Sequence, residues 1–166
     1  MMAIGFNADE VFEMAIRIEE NGAAFYRKAA GLQSDAENRA FLEKLAAMED
    51  GHKATFIEIR KTLTDKDKDG KVFDPQDELS QYLAAMSDTH GGEGSPSAAD
   101  SLTGTETIEE LLTTAIGLEK ESVLFYLGIK DMVSPEYGLE RIDHIIREER
   151  GHIAQLTSLL GKLKSK

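Results

Sequence analysis

Glu49-Asp50-Gly51-His52 recurs one hundred residues later as Glu149-Arg150-Gly151-His152. Both are Glu-x-x-His, and both lie in segments with apolar residues at helical spacing. In the first segment Phe41, Leu45, Met48, His52, Phe56 and Ile59 mark one face. On a helix, residues i and i+3 stand one above the other on the same side. A carboxylate and an imidazole placed that way and turned inward can grip one metal ion. On a solvated face the same pair would be ordinary surface polarity.

The repeat extends beyond this motif. Ala15-Ile16 matches Ala115-Ile116, Glu19 matches Glu119, and Phe25-Tyr26 matches Phe125-Tyr126. Ser34, Gly51 and Ala54 match Ser134, Gly151 and Ala154, without gaps. This is the pattern of a duplicated helical hairpin. Among the matched positions are polar residues on apolar faces: Glu19 and Glu119 belong to the stripe running through Val11, Ala15, Ile18, Gly22 and Phe25 and its copy.

Four long helices are expected, over about 8–32, 34–63, 107–132 and 135–163. Asn7 with Glu10, Ser34 with Glu37, and Thr107 with Glu110 are each spaced as a capping box, with Phe6 and Val11 as a hydrophobic staple on the first. Gly31 is a plausible stop, and Pro135 suits a first helical position. Residues 64–106 differ: Asp, Lys, Gly, Ser and Pro dominate, with one short helix expected within Asp77–Met86, capped by Asp74 and opened by Pro75. Connections longer than ~15 residues are uncommon in compact domains. A bundle of ~28-residue helices is ~42 Å long, and a connector of this size can run back along all of it. The expected fold is therefore all-α: one four-helix domain over 1–166, built from two tight hairpins joined by a long crossover.

Helix register supplies an independent check. Glu19 lies about fourteen residues before the first turn and Glu49 about sixteen after it; Glu119 and Glu149 are spaced alike about the second turn. At ~1.5 Å per residue each antiparallel pair reaches nearly one level. A lone Glu is usually solvated, and a lone His is more often a satisfied core residue. Two Glu-x-x-His motifs and two matched glutamates at one height form a metal constellation: Glu19, Glu49, His52, Glu119, Glu149 and His152. It is the donor arrangement of di-iron carboxylate bundles. Four carboxylates balance two divalent cations, and hard oxygens with two imidazoles suit Fe, Mn or Co and tolerate Zn.

Composition narrows the classes. The chain has 166 residues, 41% hydrophobic and 30% charged, with 3 Pro and no Cys. Without Cys there is no disulfide framework, thiolate zinc site or iron–sulfur cluster. A net charge of −12 argues against nucleic acid and anionic membranes. No secretory pattern opens the sequence and no apolar run approaches a membrane span, so a cytoplasmic location is the default expectation.

The segments Ala15–Tyr26, Glu49–His52, Ala115–Tyr126 and Glu149–His152 resemble the rubrerythrin branch of the ferritin-like superfamily. The likeness covers the four long helices and not the connector. It implies two iron ions, with a manganese, zinc or mixed pair as variants. Glu19 and Glu119 would then be terminal ligands, Glu49 and Glu149 bridges, and each His would bind one ion. Tyr26 and Tyr126 resemble the aromatic residues that orient ligand carboxylates in that family. The implied activity is reduction of hydrogen peroxide or dioxygen at a reduced di-iron centre, with ferritin-like iron storage as the alternative. Rubrerythrins carry a four-Cys rubredoxin domain; this sequence has no Cys, so the resemblance implies a separate electron donor of rubredoxin type. They also carry an extra carboxylate one turn from the third-helix Glu, where this chain has Ile116, Ser122 and Val123. A homodimer is expected from the helical seam.

Two weaker signals remain. Asp65-Lys66-Asp67-Lys68-Asp69-Gly70 opens like a calcium loop, but Gln76 holds the twelfth position, and a solvated turn is the better reading. His144 stands one turn from Glu148, itself one turn from His152. We read that group as a surface ion pair, with a chain to His152 as the alternative.

Overall fold

The computed structural model describes residues 6–65, 68, 76, 78–89, 97–133 and 138–165. Among these are six helices and no strand: α1 Ala8–Gly31, α2 Ala36–Lys61, α3 Glu78–Thr89, α4 Ala98–Ser101, α5 Ile108–Met132 and α6 Leu139–Lys164.

Local chemistry sets the helix ends. The capping boxes Asn7–Glu10 on α1 and Thr107–Glu110 on α5 both form, each satisfying two backbone groups at a helix start. The box expected from Ser34 and Glu37 does not cap α2. Asp35 does so instead, its carboxylate accepting from Asn38 N at 2.8 Å. Its extended backbone and negative charge both suit a helix N-terminus. The α1 stop also differs: Gly31 remains helical and Leu32 is the cap. Helix α6 begins at Leu139, later than residue 135. Gly138 precedes it at φ +82°, a left-handed conformation open to glycine at no steric cost. Ser134 and Pro135 lie outside the described residues.

The four long helices pack as two antiparallel hairpins, α1 with α2 and α5 with α6. The core falls into two apolar clusters. One gathers Val11, Phe12, Phe56, Ile59, Phe125, Ile129 and Ile142 at the N-terminal end of α1. The other gathers Phe25, Ala29, Leu42, Leu45, Leu111, Leu112 and Leu156 at the opposite end. Burying each such large side chain contributes about 1.5–3 kcal/mol. The buried face of α2 runs through Leu42, Leu45, Glu49, His52, Phe56 and Ile59, while Phe41 and Met48 are half-buried at its edge. Arg60 of α2 grips Asp9 of α1 with two 2.7 Å hydrogen bonds and fixes the register of that hairpin.

The crossover packs against the bundle at both ends. Leu83 of α3 is buried in the first cluster and Ala99 of α4 in the second. The expected short helix is present as α3 and runs on to Thr89; its expected cap, Asp74 and Pro75, lies outside the described residues. A β-carbon on Gly128 would meet Tyr82 Cε1 at 2.8 Å, so glycine lets α3 approach α5 closely. The Tyr82 hydroxyl also donates to Leu124 O at 2.6 Å. Helix α4, which periodicity did not reveal, has a capping box of its own, Ser97 with Asp100. Lys28 of α1 holds it through Ala99 O at 2.7 Å and Leu102 O at 3.1 Å. Most of the calcium-like segment and His90 lie outside the described residues. None of the described helices is long and apolar enough to cross a membrane.

Candidate metal centre

Between the two apolar clusters lies a layer of six ionisable side chains. Glu19 from α1, Glu49 and His52 from α2, Glu119 from α5, and Glu149 and His152 from α6 are all buried, at 0–4% exposure. Helical spacing puts each Glu-x-x-His on the inner face of its helix, and the matched register of the hairpins brings all six to one level. The two imidazoles stack, their ring centroids 5.8 Å apart and their planes 24° from parallel.

Both imidazoles turn Nδ1 toward the carboxylates. Glu149 divides its oxygens between them: Oε1 lies 3.0 Å from His52 Nδ1 and Oε2 2.9 Å from His152 Nδ1. Glu49 does the same, Oε2 at 3.6 Å from His52 and Oε1 at 3.4 Å from His152. Glu19 faces only His52, at 3.5 Å, and Glu119 only His152, at 3.4 Å. The donors thus form two overlapping groups, Glu19–Glu49–His52–Glu149 and Glu49–Glu119–Glu149–His152, each with its ligand atoms within 4.8 Å of one another. Glu49 and Glu149 belong to both.

Outside the layer, the Tyr26 hydroxyl donates to Glu119 Oε1 and the Tyr126 hydroxyl to Glu19 Oε1. Each phenol reaches across to the other hairpin. Burial first, and the neighbouring carboxylate next, raise both tyrosines well above the ordinary phenol range, so they remain donors.

Burial, reinforced by the charge of Glu149, likewise raises Glu19 and Glu119 well above the carboxylate range. Burial opposes ionisation of Glu49 and Glu149 too, but contact with both histidines outweighs it and lowers both. The histidines are raised: burial disfavours their charge, yet the carboxylates crowded against Nδ1 prevail, and His152 is pushed up to about 12. Without cations the layer therefore depends on protons. Taking charges out of water costs several kcal/mol per ion, and nothing in the packing of the apolar clusters requires it.

The chain superposes on the crystal structure of a Thermotoga maritima protein provisionally described as a ferritin-like diiron-carboxylate protein. The TM-score is 0.69 at 21% identity, over 94% of this chain and 95% of that one. The fold is ferritin-like. No protein-family profile and no curated protein sequence matches the chain.

The residues of this layer fit a metal pair. Glu19 Oε2, Glu49 Oε1, both Glu149 oxygens and both His Nδ1 atoms are buried and crowd together, each nitrogen 2.9–3.5 Å from these oxygens, without the alignment of hydrogen bonds. Buried polar atoms in folded proteins are almost always satisfied, and two shared cations would satisfy all of these together. Carboxylate oxygens with two imidazoles are suitable donors for iron, manganese or zinc.

All six sequence-predicted ligand positions come together, with Tyr26 and Tyr126 beside them. The surface ion pair expected of Glu148 and His144 is present, and Glu148 makes a second contact. It reaches across the bundle to His52, Oε2 to Nε2 at 3.2 Å, and not along its own helix to His152. The exposed His144 lies 3.4 Å from the same Glu148 oxygen. Helical spacing within α6 gave no sign of this cross-helix contact. Nor did it reveal the small cavity between α1 and α5, lined by Asn21, Gly22, Ala98, Leu118 and Ser122, that ends on Glu49 and Glu119.

Proposed function

We propose that this chain is a rubrerythrin-like di-iron protein that reduces hydrogen peroxide or dioxygen, drawing electrons from a separate donor of rubredoxin type. The observation that carries this reading is the sharing of Glu49 and Glu149 between two buried Glu/His groups. A carboxylate with one oxygen toward each imidazole would serve as a bridge if an ion were held beside each ring. Glu19 and Glu119 would each complete one end, and His52 and His152 would each bind through Nδ1. A reduced iron pair supplies two electrons, which with two protons convert one hydrogen peroxide to two waters.

The chain's own residues do the rest. The apolar clusters on either side exclude bulk water, which strengthens every electrostatic interaction in the layer. Tyr26 and Tyr126 fix the terminal carboxylates. Glu148 fixes the His52 ring, leaving Nδ1 for the ion, as outer partners of metal-bound histidines commonly do. The cavity beside Glu119 and Tyr26, of about 20 Å³, has room for one water-sized molecule.

The test is titration of metal-free protein with Fe(II) in the presence of peroxide, counting iron oxidised and retained per chain. Saturation near two supports the proposed activity. Continued uptake far beyond two would make this a storage protein, and no uptake would remove the di-iron reading.

A further inference from the structure

The duplication is imperfect at one position that touches the metal layer. Glu148 precedes Glu149; the residue that precedes Glu49, one hundred positions earlier, is Met48. The consequence appears at the histidines. His52 Nε2 has Glu148 Oε2 at 3.2 Å. His152 Nε2 is buried and has no hydrogen-bond partner among the described residues. A thioether at position 48 cannot take the part that a carboxylate takes at 148.

Two further asymmetries run the same way. Tyr126 donates to Glu19 Oε1, leaving Oε2 to face His52. Tyr26 donates to Glu119 Oε1, which is also the oxygen facing His152. On the His152 side, one oxygen must therefore serve both the phenol and the ion. The cavity between α1 and α5 also meets the layer on this side only. It touches Glu119, Tyr26 and the shared Glu49, and neither Glu19, Tyr126 nor His52 lines it. Asn21, Gly22, Ala98 and Leu118 in its wall are half-buried, so it leads inward from near the surface.

We infer that the two metal positions are unequal: the ion framed by Glu19, Glu49, Glu149 and His52 is the retained one, and the ion framed by Glu49, Glu119, Glu149 and His152 exchanges through the α1–α5 cavity. This rests on the metal-pair reading above. A carboxylate partner orients a histidine ligand and makes it more basic, and losing such a partner typically lowers metal affinity 10–100-fold. His52 has that partner and His152 lacks it, so the two positions should differ by a factor of this order.

Co(II) titration of the metal-free full chain, followed by calorimetry and by the visible absorption of bound cobalt, tests this. Two binding events separated by at least about tenfold are expected. Glu119→Gln should abolish the weaker event and spare the tighter. Glu148→Gln, a change at a half-exposed side chain, should weaken the tighter event about 10–100-fold and spare the weaker. Ser122→Leu, which narrows the cavity, should slow removal of the weaker ion by a chelator without slowing that of the tighter. Two ions bound equally by the native chain would overturn the inequality and leave the metal pair standing. So would Glu148→Gln acting on the event that Glu119→Gln removes. A folded chain that binds no Co(II) would overturn both.

Discussion

Tyr26, on the first hairpin, donates its phenolic hydrogen bond to Glu119 on the second. Both groups are buried and each needs the other: the hydroxyl needs an acceptor, and the carboxylate needs a donor that keeps one oxygen fixed. Tyr126 and Glu19 repeat the arrangement in reverse. Two buried crossties thus lock the hairpins at the level of the Glu/His layer.

Tyr26→Phe removes the hydroxyl and nothing else. The ring keeps its packing against Phe25, 5.6 Å away. With Glu119 held neutral by burial in the metal-free chain, the lost hydrogen bond is worth about 0.5–1.5 kcal/mol, so the melting temperature of metal-free protein should fall modestly. Metal affinity should fall further, about tenfold, because Glu119 loses its orientation. Calorimetric titration beside a thermal melt separates the two. A variant that loses stability and keeps full affinity would show that the crosstie is structural only.

Glu49→Ala should abolish tight binding of at least one metal ion, since one Glu49 oxygen faces each histidine. The same variant tests stabilisation by metal. A ligand at one hundred times its Kd stabilises the native state by about 2.7 kcal/mol, which for a chain of this size raises Tm by roughly 5–10 °C. Native protein should show that rise with Fe(II) or Mn(II) under anaerobic conditions, and Glu49→Ala should lose most of it. Retention of two ions per chain by the variant would refute the bridging role.

Much of this centre was legible in the sequence because it rests on helix periodicity. Spacing of three puts Glu49 with His52 and Glu149 with His152; equal distances from the two turns put Glu19 and Glu119 at their level. These relations belong to helix geometry and to short loops. The crossed Tyr–Glu pairs were not legible, because which carboxylate a phenol reaches depends on the packing of one hairpin against the other. The ion pair of Glu148 with His144 was legible from spacing along one helix, and the reach of Glu148 to His52 across the bundle was not, for the same reason. The α2 cap was missed by one residue, because Ser34 and Asp35 are both good caps and only the chain's exit from the turn selects between them.

Gly128→Ala tests how the crossover is held. The added methyl would meet the Tyr82 ring at 2.8 Å and Leu83 Cδ2 at 3.0 Å, both belonging to α3. Over-packing of this kind costs about 1–3 kcal/mol. Loss of stability should come with faster amide exchange in α3 and unchanged exchange in α6. If α3 keeps its protection, the close approach at Gly128 is not what holds the crossover in place.

Metal binding should release protons. In the metal-free chain Glu19 and Glu119 are raised by burial and by the charge of Glu149. His52 and His152 are raised, against the effect of burial, by the surrounding carboxylates. All four groups therefore hold protons at pH values where the free side chains would hold fewer. Metal ligation needs carboxylate and neutral imidazole, so each ion must displace protons. The sign follows: raising the pH removes the competitor, and apparent affinity should climb steadily from pH 5 to pH 8. Calorimetry at pH 7 in buffers of different ionisation enthalpy measures the release directly. A net release above one proton per ion is expected, falling in Glu119→Gln, where one protonated carboxyl is gone. An apparent enthalpy independent of buffer would mean that the layer holds its donors already deprotonated, contrary to the electrostatics of six buried groups in contact.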